Sequence, residues 1–257
     1  MDIHPSSIVS PSAKISSGVK IGAYSHIGPH VSIGKDTEIA AHVVIEGNTI
    51  IGERNKISPF TTLGGPPQDL SYNGERTQLI IGNDNILREY VTINCASTKE
   101  EWKTEIGNKC YLMAYSHVAH DCRLGDEIVM ANVTTLGGHV SVGDHATISG
   151  LVAVHQFVRI GGYSFLGGVS GITRDIPPYM KAANAKPKLY GININGLSRK
   201  GFSQEKIDGL KKAYQIIWRK NTNMGKGIKQ VRKELPLFPE LEILLDFLAT
   251  SKRGVTR

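Results

Sequence analysis

Every sixth residue from Ile3 is aliphatic, through Val9, Ile15, Ile21, Ile27, Ile33, Ile39, Ile45, Ile51, Ile57 and Leu63 without a miss. The frame breaks at GGPPQDLSYNGERTQ, resumes as Ile81, Leu87 and Ile93, and breaks again at NCASTKEEWKTE. It then runs from Ile106 to Ile172 through Leu112, Val118, Leu124, Met130, Leu136, Val142, Ile148, Val154, Ile160 and Leu166. All 26 positions are apolar. A period of six matches neither the amphipathic helix nor the two-faced strand. It matches a hexapeptide β-helix, in which short flat strands meet at turns and each sends one aliphatic side chain into a central stack. Glycines directly after the aliphatic, such as Gly22, Gly34, Gly82 and Gly107, are expected to ease the backbone at the corners.

The frame stops at DIPPY, where Pro177 and Pro178 offer no ladder donors. The expected division is therefore a repeat domain over 1–178, with loop insertions at 64–78 and 94–105, and a helical domain over 179–257. In the latter Ser203 can cap a helix whose Ile207, Leu210, Tyr214, Ile217 and Trp218 form one stripe. Further helices are expected around 224–235 and 239–250, the last carrying Leu241, Leu244, Leu245 and Leu248. The net charge of +7 is concentrated here, since residues 181–257 hold 17 Lys and Arg against 6 Asp and Glu. Such a field attracts an acidic partner: phosphorylated small molecules, an acidic carrier protein or nucleic acid. The three cysteines, Cys95, Cys110 and Cys122, form no C-x-x-C pair and read as packed small residues in a reducing compartment. No leader pattern and no apolar run near the roughly 20 residues of a membrane span is present, so a soluble cytoplasmic protein is expected.

The stretch SHVAHDC places His117, His120 and Asp121 together. It is open to three readings: a metal site, a catalytic base with its carboxylate, or solvated surface histidines. With 18 residues per coil, His120, Gly138 and Gln156 stack on one wall, and His139 and His155 fall one position to either side. That column suits acyl transfer. An imidazole can take the proton of an attacking hydroxyl, and a glycine N–H can receive an oxyanion. Asp121 can orient His120 only if it lies at a corner or comes from a neighbouring chain, because successive strand residues face opposite ways. The plain structural alternatives are stacked surface histidines and a corner glycine. For metal, H-x-x-H on a strand lacks the helical spacing of zincins, and no third ligand sits nearby in sequence. Carbonic anhydrases of the β-helix class gather three histidines across a subunit interface, so that reading stays open.

SHVAHDC, GGHVSVGD, AVHQF, GGVSG, DIPPY and GININGLSRKGF, in that order and with QDLSYNGE in the first loop, resemble the UDP-N-acetylglucosamine O-acyltransferase family. This family performs the first step of lipid A biosynthesis in Gram-negative bacteria. The resemblance implies an all-β left-handed parallel β-helix with a C-terminal α-helical domain, assembled as a homotrimer with sites in the clefts between prisms. It implies transfer of an (R)-3-hydroxyacyl group from acyl carrier protein to the 3-hydroxyl of UDP-N-acetylglucosamine. No metal or separate cofactor is implied, since the acyl group arrives on the carrier's phosphopantetheine, and no nucleic acid or membrane insertion is involved. His120 matches the catalytic base, Gly138 the oxyanion-stabilising amide and Asp121 a residue that assists the base.

Asp69 looks like a sugar contact, and His117, His139, His155 and Gln156 look like cleft residues. Asn193, Arg199 and Lys200 match the region holding the uridine diphosphate. Gly168 matches a ruler for acyl length, and glycine there leaves the groove open for a longer chain. Ser71, Lys186 and Asn195 depart from the lysine, histidine and acidic residue common at their places. These departures leave open whether the acceptor is the ordinary sugar or its 3-amino analogue. The sister N-acyltransferase of the pathway usually carries a globular domain ahead of its repeats, whereas here the frame begins at Ile3.

Overall fold

The computed structural model describes residues 2–257. Most aliphatics of the repeat close a two-residue strand, as in Lys20–Ile21, His26–Ile27 and Ser32–Ile33. Parallel pairing in steps of one coil sets Ile3 beside Ile21 and Ile21 beside Ile39. Three sheets of 11, 9 and 8 strands thus form the faces of a left-handed prism. The aliphatic column fills its axis, and Ile27, Ile45, Leu63, Leu87, Leu112, Met130 and Ile148 are all fully buried. Removing this apolar area from water is the main driving force for the coil.

The corners are built differently from the expectation. The residue three places after most of the aliphatics takes the left-handed conformation, and it is seldom glycine: Tyr24 has φ 58°, Phe60 62°, Val133 63° and Val169 57°. An isolated L-residue pays for that backbone in steric strain. Here the strain is offset by stacking on the corner above. Tyr24, His42, Phe60, Tyr90 and Tyr115 form one column with ring centroids 4.7–5.2 Å apart. The glycines after the aliphatics answer a different need, which is space. A Cβ at Gly22 would lie 2.7 Å from the backbone of Ala40, and one at Gly82 would lie 2.6 Å from the carbonyl oxygen of Gly107.

A second regularity bears on the chemistry. In most hexapeptides the N–H groups one and three places after the aliphatic donate to a neighbouring coil, as Gly137 does to Val154 and His139 to His120. The N–H two places after it takes no part in this ladder except at Cys95, where an excursion begins. Pro5, Pro11, Pro29 and Pro59 occupy that place, where a missing donor costs nothing. On the edge between the 8- and 11-stranded sheets the spare amide is satisfied by a side-chain column. Glu53, Asn83, Asn108 and Asp126 donate to the carboxamide or carboxylate of Asn83, Asn108, Asp126 and Asp144, at 2.7–2.9 Å. His120, Gly138 and Gln156 hold the same place on the edge between the 9- and 8-stranded sheets.

Both insertions leave that edge. The chain departs from Thr62–Gly65 and Thr92–Asn94 in the 9-stranded sheet and rejoins the 8-stranded sheet at Gln78–Ile81 and Lys103–Ile106. The excursions are thus 66–77 and 95–102, slightly shorter than expected, because the flanking strands extend by pairing with each other's coils.

The repeat does not end at the two prolines. Met180–Ala183 pairs in parallel with Phe165–Leu166, and Lys188–Ile192 then pairs antiparallel with it, extending the 11-stranded sheet. The helical part begins only at α1, Ile194–Arg199, followed by α2, Gln204–Tyr214. Ser203 caps α2 by accepting from the N–H of Lys206 at 3.3 Å. The expected stripe through Trp218 continues not as α-helix but as a π-helical turn over Gln215–Lys220. Helices α3, Met224–Glu234, and α4, Pro239–Ala249, follow, with Leu241, Leu244, Leu245 and Leu248 buried. No helix among the described residues is long and apolar enough to cross a membrane.

Candidate active site

Asp121 is a corner residue with φ 60°, so its side chain turns onto the same side as that of His120. His120 Nδ1 lies 2.7 Å from Asp121 Oδ2. The same oxygen accepts the N–H and the hydroxyl of Ser97 at 2.9 and 2.7 Å. Asp121's own N–H donates to Thr104 Oγ1 at 2.9 Å. The second insertion therefore grips this carboxylate through Ser97, a role that no motif or period disclosed, and the strand it returns to holds the Asp121 backbone. Burial pushes the Asp121 carboxyl up, but the hydrogen bonds from His120 and Ser97 outweigh it and hold the group below the ordinary range. A carboxylate only accepts, so the proton of neutral His120 sits on Nδ1 and leaves Nε2 free to act as the base.

Gly138 lies one coil away, with the ring of His120 over its α-carbon. A Cβ there would fall 2.6 Å from Cε1 and 2.7 Å from Nε2 of His120. Its carbonyl accepts from Phe157 at 3.0 Å, but its N–H meets no acceptor among the described residues. It is one of the spare amides of the coil, and here no side-chain column covers it. A proton acceptor and a free donor thus sit on adjacent coils of one edge.

His139 stands edge-on to His120, with centroids 5.2 Å apart, and stacks flat on Phe157 at 4.3 Å. Its Nε2 is 3.8 Å from Asp121 Oδ2. Its Nδ1 is 3.5 Å from Glu100 Oε1 without a hydrogen bond between them, and it stays buried without a partner, as does Asp121 Oδ1. His120, Asp121 and His139 bring one ligand atom each within 4.8 Å of one another. The third donor that the sequence lacked locally is supplied by the next coil. Of the Asp121 oxygens, Oδ2 is already taken by His120 Nδ1 and Ser97, whereas Oδ1 has no partner.

His117 lies on the neighbouring face with Nδ1 2.7 Å from Thr92 Oγ1, and burial, then the charge of His120, holds it below the ordinary range. His155 and Gln156 are exposed above Gly138, and Nδ1 of His155 meets Arg253 Nη2 at 2.8 Å. Asp69 pairs with Lys99 of the second insertion at 2.6 Å and accepts from the N–H and hydroxyl of Ser71 at 3.0 and 2.8 Å. These bonds, Lys99 first, hold its carboxyl well below the usual range. A cation, Lys99, thus stands on the carboxylate that Ser71 also contacts. Gly168 is exposed on the edge between the 11- and 9-stranded sheets, where an added Cβ would come within 3.1 Å of Gly150 O.

The residues expected at the nucleotide lie elsewhere on the chain. Asn193 is the N-cap of α1, accepting from Gly196 N–H at 3.3 Å and donating to Tyr163 O at 2.9 Å. Its side chain is engaged in folding. Lys200 pairs with Glu127, on the edge that also carries His145 and Tyr163. Arg199 is exposed beside it. Within one chain these residues and His120 occupy different edges of the prism. The three cysteines are buried, and burial pushes the thiols of Cys95 and Cys110 up to about 11 and that of Cys122 up to about 12. They are packing residues, not nucleophiles.

A profile described as UDP N-acetylglucosamine O-acyltransferase, domain 2, matches residues 175–256. One for six repeats of the bacterial transferase hexapeptide matches 12–47 and 30–65. The acyl-[acyl-carrier-protein]–UDP-N-acetylglucosamine O-acyltransferase of Thermodesulfovibrio yellowstonii is 50% identical over 256 residues, covering 100% of this chain and 99% of that protein. That of Syntrophobacter fumaroxidans is 48% identical, with 100% of both covered. Among solved structures, LpxA from Acinetobacter baumannii superposes with a TM-score of 0.96 at 42% identity, covering 99% of each chain. LpxA from Bacteroides fragilis, a UDP-N-acetylglucosamine acyltransferase, superposes with a TM-score of 0.97 at 38% identity and the same coverage. With identity of this extent along its whole length, and the same prism and helical cap, the chain belongs to the acyl-[acyl-carrier-protein]–UDP-N-acetylglucosamine O-acyltransferase family.

Proposed function

We propose that this protein transfers an (R)-3-hydroxyacyl group from acyl carrier protein to the 3-hydroxyl of UDP-N-acetylglucosamine, the first step of lipid A biosynthesis, by direct displacement. The observation that carries the mechanism is the free N–H of Gly138 beside a histidine whose Nδ1 is fixed 2.7 Å from a buried carboxylate. Nε2 of His120 takes the proton of the 3-hydroxyl as that oxygen bonds to the thioester carbon. The carbonyl oxygen becomes an oxyanion and accepts from Gly138 N–H. Asp121 stabilises the imidazolium. As the intermediate collapses the carbon–sulfur bond breaks, and the imidazolium returns its proton to the leaving thiolate. Neither a metal nor a cofactor beyond the carrier's arm is required, and the reaction belongs to the cytoplasm. His117, His139, His155, Gln156 and Asp69 line the cleft, and the open place at Gly168 admits a long acyl chain.

The test is a transfer assay read by mass spectrometry, offering 3-hydroxyacyl carriers of several lengths and both UDP-N-acetylglucosamine and its 3-amino analogue. O-acylated sugar, made best from the longer donors, is the expected product. Exclusive N-acylation of the analogue, or no transfer at all, would refute the reading.

The edge separation of His120 from Arg199 and Lys200 favours a homotrimer in which one copy supplies the base and its neighbour the cations for the diphosphate. His120→Ala and Lys200→Ala chains, each inactive or weak alone, are expected to regain activity when unfolded and refolded together. Mixed assemblies that recover nothing would place both groups in a site within one chain.

A further inference from the structure

The C-terminal tail returns to the prism beside the catalytic histidines, and buried Asp175 fastens it there. Asp175 N–H donates to Gly254 O at 2.9 Å, and its own carbonyl accepts from Thr256 N–H at 2.9 Å. Its carboxylate accepts the Ser251 hydroxyl at 2.8 Å and the N–H of Arg159 at 2.9 Å. Lys252 and Arg253 are thereby held next to Arg159. With Glu100, His139 and Phe157 these three cations line a cavity of about 490 Å³.

Both guanidinium groups are set in place. Arg253 Nε donates to Thr173 O at 2.8 Å, and its Nη2 lies 2.8 Å from His155 Nδ1. Arg159 lies 4.2 Å over the Phe247 ring, with Nη1 3.3 Å from Thr250 O. Each fork keeps N–H groups that no protein atom takes. Of the carboxylates bordering the cavity, Asp175 is occupied as described and Glu100 faces His139. Among the described residues none of the three cations pairs with a carboxylate. Uncompensated cations gathered in a concavity beside the base make an anion site.

We infer that Arg253, Lys252 and Arg159 form a phosphate subsite for the acyl donor, holding the phosphodiester of its pantetheine arm while the thioester lies at His120. This rests on the acyltransferase reading. The nucleotide diphosphate has other cations, Arg199 and Lys200, on a different edge. Arg253 touches His155, which precedes Gln156, two coils from His120. At about 4.8 Å per coil that is about 10 Å away, a spacing suited to the far end of a flexible arm.

The test compares two small donors, a 3-hydroxyacyl-phosphopantetheine and the same thioester of pantetheine, which lacks the phosphate. With Arg253→Ala, kcat/KM for the phosphorylated donor is expected to fall by about tenfold or more, the scale of a lost hydrogen bond to a charged group. The dephosphorylated donor should be nearly indifferent, KM for the UDP-sugar unchanged, and Arg253→Lys should recover part of the loss. Equal losses with both donors would overturn the inference by making Arg253 a brace for the fold. A rise confined to KM for the UDP-sugar would overturn it by giving the phosphate subsite to the nucleotide. Failure of the parent protein with intact acyl carrier would instead overturn the acyltransferase reading on which the inference stands.

Discussion

Replacing His120 by alanine is expected to lower kcat by about 100- to 10,000-fold, the range general-base catalysis contributes. KM for both substrates should change little. The imidazole is held by Asp121 at Nδ1 and directs Nε2 outward, so its loss removes the proton acceptor and leaves the prism untouched. The aliphatic stack and the corner columns do not depend on it, and thermal unfolding should shift by only a few degrees. Steady-state kinetics with the melting curve decide the matter. A large rise in KM with kcat preserved would make His120 a binding residue and send the search for the base elsewhere.

Gly138→Ala is expected to be almost as damaging, for a different reason. The position does not have a left-handed backbone, so alanine can adopt it. The added methyl would nevertheless stand 2.6 Å from Cε1 of His120, nearer than atoms approach. The neighbour that must yield is the ring of the base, a side chain that can swing while the fold persists. A displaced base costs on the order of 100-fold in kcat, and the crowded oxyanion position adds to that. Kinetics together with a crystal structure of the variant would check this, the ring being expected to have left Asp121 Oδ2. Unchanged kcat would show that the added methyl does not displace the His120 ring, and would overturn the packing of the base against Gly138.

Much of this was readable in the residues because a period of six leaves few alternatives. The aliphatic frame alone gives the coil, and the coil gives the column of His120, Gly138 and Gln156. The corner conformation was not readable. Tyr24, Phe60 and Val133 are not residues that announce a left-handed backbone, and stacking between coils, which decides the matter, is a property of three dimensions. One signal was available and informative: Pro5, Pro11, Pro29 and Pro59 mark the place whose N–H the ladder does not use. Gly138 stands at that place, so its amide could have been known to be free.

The parts of the site that escaped lie where no period runs. Ser97, Lys99 and Glu100 belong to an excursion, and Arg253 to the tail, and nothing local links them to residues dozens of positions away. Asn193 shows something else that the motif did not announce. It sits in the stretch that suggests a nucleotide, and its carboxamide also caps α1 and ties it to Tyr163. The strand after Pro178 was hidden for a simpler reason. Prolines argue against a ladder, but these two precede the strand without interrupting it.

Direct displacement makes one demand that a nucleophilic mechanism does not: the acyl group never rests on the protein. Rapid quenching of a single turnover, followed by intact-mass measurement of the protein and of the sugar nucleotide, reads this at once. Acylated UDP-N-acetylglucosamine is expected to appear as acyl carrier is consumed, with the protein at its unmodified mass throughout. A protein species heavier by one acyl group, formed and lost as fast as product appears, would contradict it.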